Sequence, residues 1–181
     1  MPAAALLALL TLAPAAKGGD VFDFDARLAL GGGTRLDRTI ETNIAFEAGL
    51  LFRIRLDGGR GAGPASTILP ELSYVALGFD EGLSRDDQFI VGCGWGITYE
   101  PIVIGVVPGI VIGEFRGSTT TARRTGGGVR LLLVAELKHI LGLQAGYVGA
   151  VRGGGEYVHE VHVSASLNFL GLAALYIAGR G

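Results

Sequence analysis

Cysteine is nearly absent. Cys93 is the single thiol among 181 residues, so no disulfide can form within the chain. Three scattered His with no Cys partners lack the spacing of a metal centre, and no metal is expected. Nor is there a basic excess. Fifteen Lys and Arg face seventeen Asp and Glu for a net charge of −2, which excludes the phosphate-neutralising surface that nucleic-acid binding needs. Charged residues make up only 18% of the chain. The apolar runs are too short, too Ala-rich or too interrupted to read as membrane-spanning helices. What the chain has instead is 31 Gly, 49% hydrophobic residues and a mean hydropathy of +0.46, too apolar for disorder and high for a soluble domain. A length of 181 residues is one domain, large enough for a closed structure.

Residues Met1–Ala16 carry no charged side chain, and Ala3–Ala13 is rich in Ala and Leu. Ala13-Pro14-Ala15 supplies small residues where a signal peptidase reads, and polar Lys17-Gly18-Gly19-Asp20 follows. Segment 1–16 is therefore expected to be an export signal, although the usual basic start is missing. The competing reading is a short buried helix. The rest divides into a β domain over 17–169 and a segment 170–181, either a C-terminal tail or an additional strand.

From residue 21 the dominant period is two. Phe22, Phe24, Ala26, Leu28 and Leu30 alternate with Asp23, Asp25, Arg27 and Ala29. Ile44, Phe46, Ala48, Leu50, Phe52, Ile54 and Leu56 alternate with Glu47, Gly49, Arg53 and Arg55. Such strict alternation is a strand signal with little helical competition. It recurs less purely over Thr67–Phe79, Gln88–Tyr99, Val129–Leu137, Leu141–Val151 and Tyr157–Phe169. Ile102–Phe115 is apolar on both faces; we take Ile104, Val106, Ile110 and Ile112 to point outward and Gly105, Gly109 and Gly113 inward. Pro70 and Pro108 fall inside strands, where each removes a ladder donor. Polar Gly-rich connections at one end and mostly abrupt turns at the other predict an all-β fold: a single up-and-down antiparallel barrel of about eight strands.

A closed barrel either buries its apolar face around a ligand in water or turns it to lipid. The polar face decides. It is rich in Gly, Ala and Ser, carries charges of both signs, and has one Lys, Lys138. A water-facing surface would carry many long charged side chains, whereas a narrow lumen needs small residues and acids that can pair with bases. The expected lumen network is Asp23, Asp25, Glu47, Glu71, Glu136 and Glu160 against Arg27, Arg53, Arg55, Arg130 and Lys138. A transmembrane barrel is the preferred reading, and a soluble exported barrel binding a small apolar ligand is the alternative. Phe46, Phe89, Phe115 and Tyr157 near one end of the strands, and Phe22, Phe24, Phe52, Tyr99 and Phe169 near the other, form two expected belts of lipid-interface aromatics.

On these patterns the region from Val21 to Phe169 resembles the small eight-stranded outer-membrane barrels of Gram-negative bacteria. Val163-Ser164-Ala165-Ser166-Leu167-Asn168-Phe169 is similar to the terminal strand that the outer-membrane assembly machinery reads in that class. The resemblance implies a bacterial outer-membrane location, with the lipid bilayer, lipopolysaccharide and that machinery as partners; no protein partner is identifiable. Chemistry-bearing motifs are sparse. Gly126-Gly127-Gly128 and Gly153-Gly154-Gly155 lack the context of a phosphate loop, and no cofactor is expected. His162-Val163-Ser164 is similar to the His-x-Ser pairing of outer-membrane lipid A deacylases, in which serine attacks an acyl ester and histidine is the base. Those enzymes continue with Asn, whereas Ala165 follows here. The leading expectation is accordingly a non-enzymatic envelope barrel with a filled lumen and a structural or interaction role, and with no catalytic residues. A lipid acyl hydrolase using His162 and Ser164 is the further alternative.

Overall fold

The computed structural model describes residues 22–36, 42–57, 63–79, 84–99, 101–116, 122–137 and 140–178. The expected signal segment 1–16 and Lys138 lie outside these residues, as do the side chains of Asp23 and Phe24. Eight strands run in chain order: β1 (Phe22–Arg35), β2 (Thr42–Arg55), β3 (Ala65–Phe79), β4 (Ser84–Tyr99), β5 (Ile102–Arg116), β6 (Arg123–Leu137), β7 (Leu141–Arg152) and β8 (Glu156–Asn168). Each pairs antiparallel with the next and β8 closes on β1, giving an up-and-down barrel. Following paired residues once around from Phe22 through Ile54, Ile68, Trp95, Val106, Leu133, Ala145 and Val163 returns to β1 at Gly32. That offset along β1 is the stagger that tilts the strands and closes the ring.

The period-two pattern maps onto the wall as physics requires. Leu30, Ile44, Phe89, Val91, Ile110, Ile112, Val129, Leu143 and Val163 are each more than half exposed on the outside. A band of this composition is at home in hydrocarbon, and closure of β8 on β1 pairs the strands around the ring. The chain is a transmembrane β-barrel of the outer-membrane type, in contact with the bilayer. The soluble alternative needed the opposite: large apolar side chains inside and a charged exterior.

β5 takes the orientation assumed for it. Val103, Val107 and Val111 point inward and are fully buried, while Ile104, Ile110 and Ile112 face out. The same parity corrects Phe115. It shares the inward face with Val111 and is fully buried in an apolar cluster with Leu77, Ile90, Val148 and Val158, so it is not an interface aromatic. Both prolines also find an account. The β2–β3 ladder is interrupted at Leu69 and Pro70, while the pairing of Pro70 with Cys93 of β4 persists. The β4–β5 ladder is likewise interrupted beside Pro108, which keeps Leu131 of β6 as partner. Each proline lacks a donor toward one neighbour only, and the register survives because the ladder resumes within two residues.

Two departures remain. Residues Phe169–Ala178 form a helix, α1, rather than a ninth strand, and Phe169 is its first residue rather than the last of β8. The strands also overrun the expected bounds, from 12 residues in β7 to 16 in β4, so their ends rise past the apolar band.

Candidate functional site

Inside the barrel, alternation places a polar residue on nearly every strand, and most of the expected charge network converges. Arg27 Nη2 donates to Glu47 Oε1 at 2.9 Å and to Glu71 Oε1 at 2.5 Å. Arg130 Nη2 donates to Glu47 Oε2 at 2.6 Å, and its Nη1 to Glu71 Oε1 at 3.0 Å. Two arginines and two glutamates thus form a neutral ring of alternating charge drawn from β1, β2, β3 and β6, with no side chain more than 3% exposed. Gln144 Nε2 adds a bond to Glu47 Oε2 at 3.0 Å, and Arg130 Nη1 one to Ser73 Oγ at 3.1 Å. Buried charges are tolerable only when neutralised and hydrogen-bonded in this way.

A second group lies toward the end where the chain enters and leaves the barrel. Arg53 bridges Asp25 and Glu136, the latter at 2.5 Å, and Asn168 donates to Asp25. Arg55, toward the mouth, pairs with Asp57 at 2.9 Å. Glu160 belongs to a third group at the opposite end, where Gln88 donates to it. There Arg35 donates to the carbonyl of Arg116 at 2.7 Å, and Asp86 accepts from the Arg116 amide at 2.8 Å. Arg35, Asp86 and Arg116 are buried members that the sequence pattern did not single out. Leu51, Leu69, Val103, Val107, Leu132 and Val134 fill the space beside these groups with a second apolar cluster.

His162 and Ser164 sit in this interior, both buried on β8. The His162 ring lies across Gly146 of β7, where a Cβ would collide with it. Its Nε2 is 3.3 Å from Arg130 Nη2; a guanidinium only donates, so Nε2 accepts and the ring proton belongs on Nδ1. Neither His162 Nδ1 nor Ser164 Oγ has a hydrogen-bond partner among the described residues, so the two are not bonded to each other. The basic lone pair is already committed to an arginine, and the wall separates both groups from lipid. They are not an acyl-hydrolase dyad.

Of the interface aromatics, Phe22, Phe46, Phe89, Tyr99, Tyr157 and Phe169 are exposed on the outside. Phe52 is half-buried against Phe22, with ring centroids 5.9 Å apart. The wall also carries polar groups on its outer face that lie outside the expected lumen network and aromatic belts. On β3–β6, Asp87 accepts from Tyr74 and pairs with Arg123, which reaches Glu114 at 2.8 Å. On β7–β8, Tyr147 Oη lies 2.7 Å from His159 Nδ1, the rings stacked with centroids 6.1 Å apart. His159 is opposite Gly149, and the phenol leans over that glycine to reach it. The signal was present: His159, Asp87, Glu114 and Arg123 all have the parity of their strands' apolar outward positions. No group of three or more His, Cys, Asp or Glu among the described residues is arranged to hold a metal ion.

Chemically, the outer pair differs from the inner one. Either the phenol or Nδ1 can donate in this bond. In the tautomer with Nδ1–H donated to the phenol oxygen, the Nε2 lone pair of His159 is free and its ring is held by a partner, which is the configuration of a general base. Against known proteins, the chain matches no family model and no curated relative. Among solved structures it is similar to the outer membrane enzyme PagL, with a TM-score of 0.50 and 9% sequence identity, over 78% of this chain and 99% of that one. At that identity the likeness shows the fold: an eight-stranded outer-membrane barrel. It also corrects the functional expectation. The leading reading, a structural or interaction barrel that is not an enzyme, gives way as the preferred one, because the solved barrel it resembles is named an enzyme.

Proposed function

We propose that the chain is an outer-membrane hydrolase that cleaves an acyl ester of an outer-leaflet lipid, with His159 as general base and Tyr147 as its positioning residue. The observation that carries this reading is the Tyr147–His159 hydrogen bond on the lipid-facing side of the wall. The likeness to an outer membrane enzyme supports it. In such barrels the end with the longer loops is extracellular. The β7–β8 turn is short itself but shares its end with the β1–β2 and β5–β6 connections, which are longer than the β4–β5 and β6–β7 turns opposite (β2–β3 excepted), and this supports a cell-surface position. That turn is Gly153–Gly155, with Gly154 at φ 101° and Gly155 at φ 80°. His159 follows it closely, roughly 10 Å down the strand from the rim at about 3.3 Å per residue. That depth is where the hydrocarbon core meets the headgroups, and where acyl ester carbonyls lie.

The step uses water as nucleophile. Water attacks the ester carbonyl as His159 Nε2 takes its proton; the tetrahedral oxyanion collapses, the alkoxide leaves and recovers that proton from Nε2. Tyr147 keeps the ring turned so that Nε2 faces the ester. Lipopolysaccharide is the acylated substrate class most abundant at that leaflet's surface position in this reading. Segment 1–16 as export signal, and Val163–Phe169, the end of β8 with the first residue of α1, as the segment read by the assembly machinery, complete the route by which such an enzyme reaches the outer membrane of a Gram-negative cell.

The test is fatty-acid release by full-length protein in vesicles containing lipopolysaccharide or, separately, phospholipid. Free fatty acid should appear by mass spectrometry, fall with His159→Ala, and persist with Ser164→Ala. Absence of fatty acid from both lipids overturns the function; undiminished release by His159→Ala overturns the assignment of the base.

A further inference from the structure

The C-terminal helix poses a separate question. β1 pairs with β2 from Phe22 to Thr34 but with β8 only from Arg27 to Arg35. Among the described residues, 22–26 therefore have a strand neighbour on one side only. A strand edge left open at membrane depth is costly unless something covers it. α1 packs against β1.

The chain is steered there by Asn168. Its backbone N–H donates to the Ile140 carbonyl at 2.8 Å, its side-chain Nδ2 donates to Asp25, and its Oδ1 accepts from the Leu170 N–H at 2.9 Å. The last of these is an N-cap. One residue thus ends β8, starts α1 and ties the corner to β1.

The exposed side of α1 is unlike that of a helix in water. Phe169, Leu172, Ala173, Tyr176 and Ile177 are exposed and fall at i, i+3, i+4, i+7 and i+8, one continuous stripe. Ile177 is 69% exposed and no residue of the helix is charged. An outward stripe in water would be polar. This one instead extends the apolar outer surface that Leu167 of β8 and Phe22 of β1 bring down to the same corner. At about 1.5 Å per residue the helix is roughly 15 Å long, which fits one leaflet. No described helix is long and apolar enough to cross the membrane.

We infer that α1 lies in the periplasmic leaflet with this stripe against acyl chains, sealing the open edge of β1. The test uses the full chain with Trp95→Phe and Tyr176→Trp, so that the only tryptophan reports from the helix. It is placed in vesicles of phospholipid brominated at mid-chain or not, after confirming that boiling shifts its mobility in SDS as it does the parent's. Leu172→Trp replaces Tyr176→Trp if that variant does not fold. Bromination should reduce the emission by more than half, and acrylamide should leave it nearly unchanged. Emission quenched by acrylamide and indifferent to bromine would put the helix in water and overturn the inference. So would protection from both quenchers together with disulfide dimers of a Cys93→Ser, Tyr176→Cys variant, since a second copy would then cover the stripe.

Discussion

Replacing Arg130 with Met tests the ionic ring at its most connected point. The guanidinium is fully buried and bonds Glu47 at 2.6 Å, Glu71 at 3.0 Å and Ser73 at 3.1 Å. Without it, two carboxylates remain in the lumen beside Arg27 alone, so one negative charge is uncompensated. Breaking a buried pair by removing one partner typically costs about 3–5 kcal/mol, most of it the penalty on the group left behind. Met fills similar volume, which keeps a cavity term out of the comparison. The second half of the cycle is Glu47→Gln, which removes the surplus charge: Arg130→Met with Glu47→Gln should be more stable than Arg130→Met alone. Residues in one such network couple by about 0.5–3 kcal/mol. Denaturant unfolding in lipid vesicles, followed through Trp95, reads the four stabilities. A loss below about 1 kcal/mol for Arg130→Met, the surface-pair range, would show that the lumen is wet enough to solvate the charge. Strictly additive changes would show that the ring is not one electrostatic unit.

Leu133→Arg, on the exposed outer face of β6, should destabilise the barrel by about 2–4 kcal/mol if the site is near the bilayer midplane; unchanged unfolding in vesicles would remove it from lipid. Phe115→Ala should cost about 3–5 kcal/mol as a buried aromatic truncation, and a negligible loss in the same assay would return that ring to the exterior. His159→Ala should slow fatty-acid release about 10²–10⁴-fold, the usual contribution of a general base, while leaving the heat-dependent gel shift intact; Tyr147→Phe should lower kcat more than it changes KM, because the phenol orients the base and does not hold the lipid.

The strand order and the outward face were legible because a bilayer enforces alternation wherever both leaflets of hydrocarbon are crossed. Leu131, Leu133 and Leu137 against Arg130 and Glu136 could only be read one way. What was missed lies where that constraint relaxes. Arg35, Asp86 and Arg116 sit at strand ends above the apolar band. There, water wets the outside as well, so both faces are polar and the period fades into what reads as loop. Phe115 was assigned by its distance from a loop and not by its parity, although the inward direction taken for Gly113 on the same strand implied an inward Phe115. His159 and Tyr147 were hidden differently. Tyr147 has the parity of the outward apolar residues of β7, and the His162–Ser164 spacing drew attention to the inner face of β8, opposite to that of His159. Spacing alone cannot tell which side of a wall a pair occupies; a neighbour's register can.

Where chemistry can occur follows from how the lumen is filled. Along the axis, the three polar groups are matched by apolar clusters around Ile90 and Phe115 at one level and around Leu69 and Val107 at another. Each guanidinium in the ring is engaged by a carboxylate, so an anionic or ester-bearing substrate entering there would have to displace a bond already made with a neutralised partner. It would also leave a buried charge exposed to nothing but hydrocarbon side chains. The outer wall has no such penalty, since a lipid is its solvent and needs no entry path. Under the proposed function, an acyl ester would reach His159 by lateral diffusion, and the leaving alcohol would return to the headgroup layer. A barrel too narrow to admit a lipid could still act on one if its base points outward, and of the described histidines His159 is on the outer face while His162 is in the lumen.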